Sequence, residues 1–460
     1  MGKLVALAAV LAVFAIACGP GEAGVIAEPP SPGLDSETPT AEGNNSVSQI
    51  VGSLPEGRLL LLPSGVSNRG APELSALTKG GDLVDLGEAH NVMPSPDGRL
   101  VATVYWQTED GPVVFAVRTV EGEELFRLSD DSPDSRLSFW NLAWSPDSES
   151  LALTIADESQ PGSTDIWVMN ADGSDRRRLT AEPGSYGIIA WAADGEHLVA
   201  TRWIQQDERS ELLSIDRRTG EGLTIDVPGA GGNESYQLSP DGRRLAFYVG
   251  DFEAGFDLWV MDVDGSNARR LTSLGSFARR PPDDLYVSAL PPGRTARSAP
   301  SLLLKGLPPA VWSPDGRRIA YIRFVEVQPS ELRMTSTDLH VVSLDGADLK
   351  IAESADWNFA WSPDGRLIAA SVDGELMVAD LQGKCQSFQP FIDEDGRSLE
   401  VARGAHLPVW SPSGEYLVFV TEGAFSTSAS NGIYTVRRDG SNVRLLGRST
   451  GILPLAWLPE

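Results

Sequence analysis

Basic side chains, thiols and imidazoles are scarce in this chain. Its 460 residues hold 37 Lys and Arg against 64 Asp and Glu, a formal charge of −27, with two Cys and four His. Such an acidic surface repels phosphate backbones and anionic bilayers, which excludes nucleic acid as a partner and membrane binding by charge alone. Two thiols cannot form a thiolate metal cluster, and no intramolecular disulfide remains once Cys18 is assigned elsewhere, leaving Cys385 unpaired. Long apolar runs are missing except for Leu4–Ala17, which is too short to span a bilayer. No phosphate-cradling glycine loop occurs, so a P-loop site is not expected. No cofactor is expected.

What is abundant is a recurring turn. Ser95-Pro96-Asp97-Gly98 returns as Ser239-Pro240-Asp241-Gly242, Ser313-Pro314-Asp315-Gly316 and Ser362-Pro363-Asp364-Gly365. Altered copies are Ser145-Pro146-Asp147-Ser148, Ala192-Ala193-Asp194-Gly195, Ser411-Pro412-Ser413-Gly414 and a faint opening copy, Leu54-Pro55-Glu56-Gly57. Trp144, Trp191, Trp312, Trp361 and Trp410 precede five of them. Proline presets φ for a type I turn, aspartate bonds the local backbone and glycine accepts the next conformation, so each motif connects a hairpin. A second strand and an Asp-Gly turn follow, as in Asp165-Ile166-Trp167-Val168-Met169 before Asp172-Gly173, and Asp257-Leu258-Trp259-Val260-Met261 before Asp264-Gly265. A last strand such as Arg177–Thr180 completes four strands per unit.

A period of about 40–50 residues with four strands per unit predicts an all-β, β-propeller fold over residues 51–460. Counting turn acids predicts eight blades, with seven as the alternative if the opening copy forms none. The chain ends on Trp457-Leu458-Pro459-Glu460, the start of another unit. The C-terminal strand, near Ile452–Trp457, is therefore expected to close the ring by completing the first blade.

The Trp-Ser-Pro-Asp-Gly and Asp-Leu-Trp-Val-Met motifs resemble those of TolB-like, WD-repeat-like propellers across residues 54–460. That resemblance implies a protein-interaction or envelope role. A related propeller type precedes the catalytic domain of prolyl dipeptidyl peptidases; with Glu460 as the last residue, no such domain is expected here.

Residues 1–17 have the layout of an export signal: Lys3, then the apolar run, then Ala15-Ile16-Ala17-Cys18, which resembles a bacterial lipobox. The implied product carries lipid on Cys18 and sits at the outer face of a bacterial membrane, in the cell envelope or periplasm. Residues 18–50 are rich in Pro, Gly, Ser, Thr and acids and lack Lys and Arg, the composition of a flexible linker. The lipid anchor is then the only expected tie to the membrane.

Strand alternation puts both short turns of every unit on one face and the longer connections, about 156–164, 203–210, 273–310, 326–337, 387–406 and 422–431, on the other. Binding groups concentrate on variable loops held by a rigid scaffold. Seven positions before each turn acid lies the first residue of the innermost strand, at the channel mouth on that variable face. These positions read His90, Trp140, Gly187, Glu234, Pro308, Trp357 and His406, with Leu453 on the closing strand and Asn91, Asn141 and Asn358 alongside. Aromatic walls with a few polar groups suit a small polar ligand; the same residues could also simply line a wet channel. A metal is not expected, because Glu234 falls across the channel from His90 and His406. The insertion at 273–310 is proline-rich and carries Arg279, Arg280, Arg294, Arg297 and Lys305 against Asp283 and Asp284, a net of +3 that makes it a candidate partner-docking arm. The expected function is non-catalytic binding of an envelope protein or a small polar ligand. The alternative is a propeller lyase or hydrolase using the mouth.

Overall fold

The computed structural model describes residues 50, 52–63, 71–106, 113–129, 142–156, 163–204, 206–207, 209–228, 233–251, 255–273, 310–326, 335–382, 384–387, 391–392, 398–399, 405–421, 432–447 and 452–460. Every regular element among them is a β-strand. They form six four-stranded sheets, one eight-stranded sheet and one two-stranded hairpin. The eight-stranded sheet is two antiparallel meanders, Leu142–Trp144 to Arg177–Arg178 and Ser185–Trp191 to Gly222–Ile225, joined where Thr164 pairs in parallel with Ser185. The small hairpin pairs Phe391–Ile392 with Ser398–Leu399 inside the connection expected to be irregular. A second correction concerns 203–210: strands His197–Ile204 and Arg209–Asp216 stay paired out to Ile204↔Arg209, so this connection is short and Trp203 belongs to a strand.

The recurring turn behaves as its residue types dictate. Gly98 N–H donates to Ser95 O at 2.9 Å, closing a type I turn, and Gly98 then takes φ +72°. Ser95 Oγ–H donates to Asp97 Oδ1 at 2.6 Å while Arg99 N–H donates to the same oxygen at 3.0 Å. Leu100 N–H reaches Ser95 Oγ at 3.0 Å. The same bonds recur at Ser239, Ser313 and Ser362. The Asp-x-Trp motif has its own lock. Asp165, 5% exposed, accepts from Thr180 Oγ1 at 3.0 Å and pairs with Arg178 at 2.8 Å, tying the third strand to the fourth.

Packing runs between sheets. Trp144 Nε1–H donates to Met93 O, Trp191 to Ala143 O, Trp312 to Gln237 O, Trp361 to Val311 O and Trp410 to Ala360 O, all at 3.0 or 3.1 Å. Each indole thus grips the first strand of the preceding meander while burying its rings. Apolar clusters bridge the same neighbours: Ala246, Tyr248 and Leu258 meet Trp312, Ile319 and Tyr321, and Leu376 and Val378 meet Leu417 and Phe419. Another cluster joins the last sheet to the first, with Val418, Val420 and Ile433 against Leu59, Leu61 and Ile452.

Both ends of the described chain meet there. Ile452–Leu458 pairs antiparallel with Arg58–Pro63. Upstream, Ile50 bridges to Gly447 and Gly52 N–H donates to Leu446 O at 2.8 Å, so the lead-in runs along the outer strand of the last sheet. It then passes beneath Trp457, whose Nε1–H takes Glu56 O at 2.7 Å instead of a carbonyl of the preceding sheet.

Candidate functional site

Several of the residues expected at the mouth lie on described, paired strands. Gly187 pairs with Thr201, Glu234 with Tyr248, His406 with Val420 and Leu453 with Leu62, each near the start of its own strand. A register shift follows within a few residues in every case: Ile188/Ala190, Glu234/Gln237, His406/Val409 and, on the closing strand, Pro454/Ala456, where Leu455 is the extra residue. Ala355–Trp361, which carries Trp357 and Asn358, shifts between Ala355 and Phe359. Bulges bend a strand and redirect its side chains, and they recur beside binding sites. The one at His406 places Leu407 at φ 55°, a left-handed conformation that costs a non-glycine residue about 1–3 kcal/mol.

His90 shows how such a mouth residue is held. Its backbone N–H donates to Val104 O at 2.8 Å, and its Nδ1 accepts the Trp106 N–H at 3.2 Å. The neutral ring therefore carries its proton on Nε2, and burial pushes its pKa below the usual value. Its edge meets the Trp106 ring at 4.9 Å and 64°. Asn91 is exposed and Asn358 half-buried. For Glu234, Trp357 and His406 the strand position alone is described. Trp140, Asn141, Arg279, Arg280, Arg294, Arg297 and Cys18 lie outside the described residues.

Two aromatic residues at this end were missed from sequence. Trp106 and Trp203 each stand nine positions after a turn acid, at the far end of a second strand. Trp203 is 45% exposed, a large apolar surface that the scaffold does not need for packing. The signal was available: phase comparison applied to second strands as well as first would have found both.

The opposite face is chemically committed. The carboxyls of Asp97, Asp241, Asp315 and Asp364 are raised by burial, but the Ser hydroxyl and backbone N–H bonds they accept outweigh it and hold them below the usual range. His197 lies on that face, with Nδ1 2.7 Å from Asp194 Oδ2. His340, 7% exposed, takes the place other units give to the strand tryptophan; its Nδ1 is 3.2 Å from Asp348, which also accepts from Tyr321 Oη at 2.8 Å. Around Asp264, Ser266 donates from both N–H and Oγ–H to Oδ1, so the sequence that mimics a calcium loop is turn chemistry. Among the described residues no group of three His, Cys, Asp or Glu could hold a metal ion.

No family model matches the chain. It is 24% identical over 320 residues to dipeptidyl-peptidase 5 of Porphyromonas gingivalis, across 62% of this chain and 44% of that protein. It is 33% identical over 114 residues to the Tol-Pal system protein TolB of Anaeromyxobacter dehalogenans, across 24% of this chain and 25% of that one. The chain therefore spans less than half the length of either relative. A solved structure of a putative TolB from Agrobacterium tumefaciens is 17% identical, with a TM-score of 0.38, covering 67% of this chain and 95% of that one.

Proposed function

We propose that this chain, a TolB-like β-propeller, works as an exported, lipid-anchored binding module that engages an envelope protein through its variable-loop face without catalysing a reaction. Eight blades with a ring closed by the C-terminal strand is the architecture we assign. The four-stranded meanders, the indole bonds between successive sheets and the pairing of Ile452–Leu458 with Arg58–Pro63 support it. The observation that carries the binding reading is the concentration of bulged first strands and surplus aromatic surface, Trp203 and the His90–Trp106 pair, at one end of the sheets. Aromatic anchors of this kind dominate protein interfaces. Arg279, Arg280, Arg294 and Arg297 form the second candidate contact, through the basic arm.

The enzyme reading is favoured by the dipeptidyl-peptidase relative. It requires His90, Glu234 and His406 to converge on one ligand. His90 Nδ1 is already occupied by the Trp106 N–H, which leaves only its Nε2 for such a task. Affinity capture from native envelopes tests the two, using wild type beside a variant with His90→Ala, Trp140→Ala, Trp357→Ala and His406→Ala. Loss of a discrete protein partner from a folded variant supports the mouth as its docking surface. A small molecule retained by wild type and lost by the variant, with turnover, would replace binding by catalysis.

A further inference from the structure

The path by which the chain enters the fold is set by described residues. The fourth strand of the last sheet, Arg444–Gly447, follows the Asp439-Gly440 turn and runs from the turn face toward the variable-loop face. Ile50 bridges to Gly447, at the variable-loop end of that strand, in antiparallel sense. From there the lead-in descends past Gly52 to Glu56 and Gly57, where Ser413 N–H donates to Glu56 Oε1 at 3.1 Å on the turn face. Ile50 is 6% exposed and Leu54 3% exposed, both in the cluster between the last and first sheets, so this path is packed in place. The residue upstream of Ile50 therefore starts from the variable-loop rim.

We infer that the anchor and the binding mouth lie on the same side of the protein, so that the mouth is turned toward the membrane and its partner is a protein held in or on that membrane. The inference rests on the anchored, mouth-binding reading above and adds the orientation and the kind of partner. Residues 18–49 carry five acids and no Lys or Arg, so nothing in them binds an anionic bilayer. Read from composition as a flexible linker, as in the reading above, 32 residues would give a root-mean-square span of roughly 30 Å. The mouth then overlooks a layer of about that depth, within reach of the extramembrane parts of neighbouring membrane proteins. The chain's charge of −27 favours a partner with a basic surface and disfavours lipid headgroups as the ligand.

The path is tested first without lipid, in the full chain carrying Cys18→Ser and Cys385→Ser. A short-range donor at Ser48→Cys is paired with an acceptor at either Glu73→Cys or Lys79→Cys. Both positions are exposed and mark the variable-loop and turn ends of the strand Glu73–Thr78, next to the seam. Energy transfer at least twofold more efficient to position 73 is expected; equal or reversed efficiency would overturn the shared side. In cells, benzophenone placed at Trp203 or at Asp364 on the turn face then reads the partner. Adducts with integral or lipid-anchored proteins at 203, several-fold above those at 364 and lost with Cys18→Ser, are the expected result. Adducts only with soluble proteins, or mainly at 364, would refute the orientation. An unlipidated Cys18 in the mature wild-type protein, read by mass spectrometry, would remove the anchored reading and this inference together, even with the dye result intact.

Discussion

Replacing Trp457 tests whether the seam between the last and first sheets is held as the structure indicates. Its indole is 7% exposed and packs with Leu59, Leu61, Leu77 and Ile452, while Nε1–H donates to Glu56 O at 2.7 Å across 401 residues of sequence. Trp457→Phe keeps most of the apolar contact and deletes the bond. A net hydrogen bond is worth about 1 kcal/mol, and a stranded carbonyl adds to that, so a loss of about 1–2 kcal/mol is expected. Trp457→Ala also empties the site and should cost about 3–5 kcal/mol. Because about 1.4 kcal/mol is a factor of ten in an equilibrium constant, local opening should rise roughly tenfold in the Phe variant and by two to three decades in the Ala variant. Native-state hydrogen exchange reads this directly. Amides of Arg58–Pro63 and Ile452–Leu458 should accelerate by those factors, while the distant sheet containing Arg244–Asp251 changes far less. Acceleration spread evenly over the molecule, or none in the Ala variant, would refute the idea that this indole secures a local seam.

Three further outcomes follow from other sites. Gly195→Ala meets nothing within 4 Å and should cost only the left-handed strain of its φ of +66°, about 1 kcal/mol. Gly98→Ala should cost distinctly more, because its Cβ would approach Pro459 Cδ to 2.9 Å; equal shifts in the denaturation midpoints would contradict the close approach of Gly98 to Pro459. Asp338 is 8% exposed, and burial raises its carboxyl pKa despite Lys350 and His340. Folding therefore gains from its proton below the unfolded value near 3.8 and loses that gain as pH rises through the higher folded value. Asp338→Asn should accordingly gain stability relative to wild type across that rise, and a pH-independent difference in unfolding free energy would disprove it. Trp203→Ala should leave stability within about 0.5 kcal/mol, as for an exposed position, yet weaken capture of the envelope partner by at least about 1 kcal/mol, roughly fivefold; unchanged capture would take Trp203 out of the interface.

Much of the architecture was readable because it is local. Serine, proline, aspartate and glycine make their turn from bonds within six residues, so the copies at Ser95, Ser239, Ser313 and Ser362 could be placed without coordinates. First-strand register was legible for the same reason: once the turn sets it, counting back along a first strand reaches Glu234 and His406 at matching pairs. What counting did not reveal was the bulge after each of them, since a bulge is a relation to the partner strand. Nor did it find Trp203, because a second-strand tail and an irregular loop look alike until Trp203 is seen to pair with Ser210.

By itself, then, the order of residues determined the repeating strand unit, its turn chemistry and the register of the strand that leads into each turn. All of these depend on neighbours a few residues apart. The tertiary structure alone decided which carbonyl each indole grips, about 50 residues away for Trp361 and 401 for Trp457. It also decided that His90 spends Nδ1 on Trp106, and that Ile50 meets Gly447, so that the lead-in starts from the mouth side. Those choices are made between groups far apart in the chain. They depend on how whole sheets pack against one another, and no local pattern of residue types encodes that.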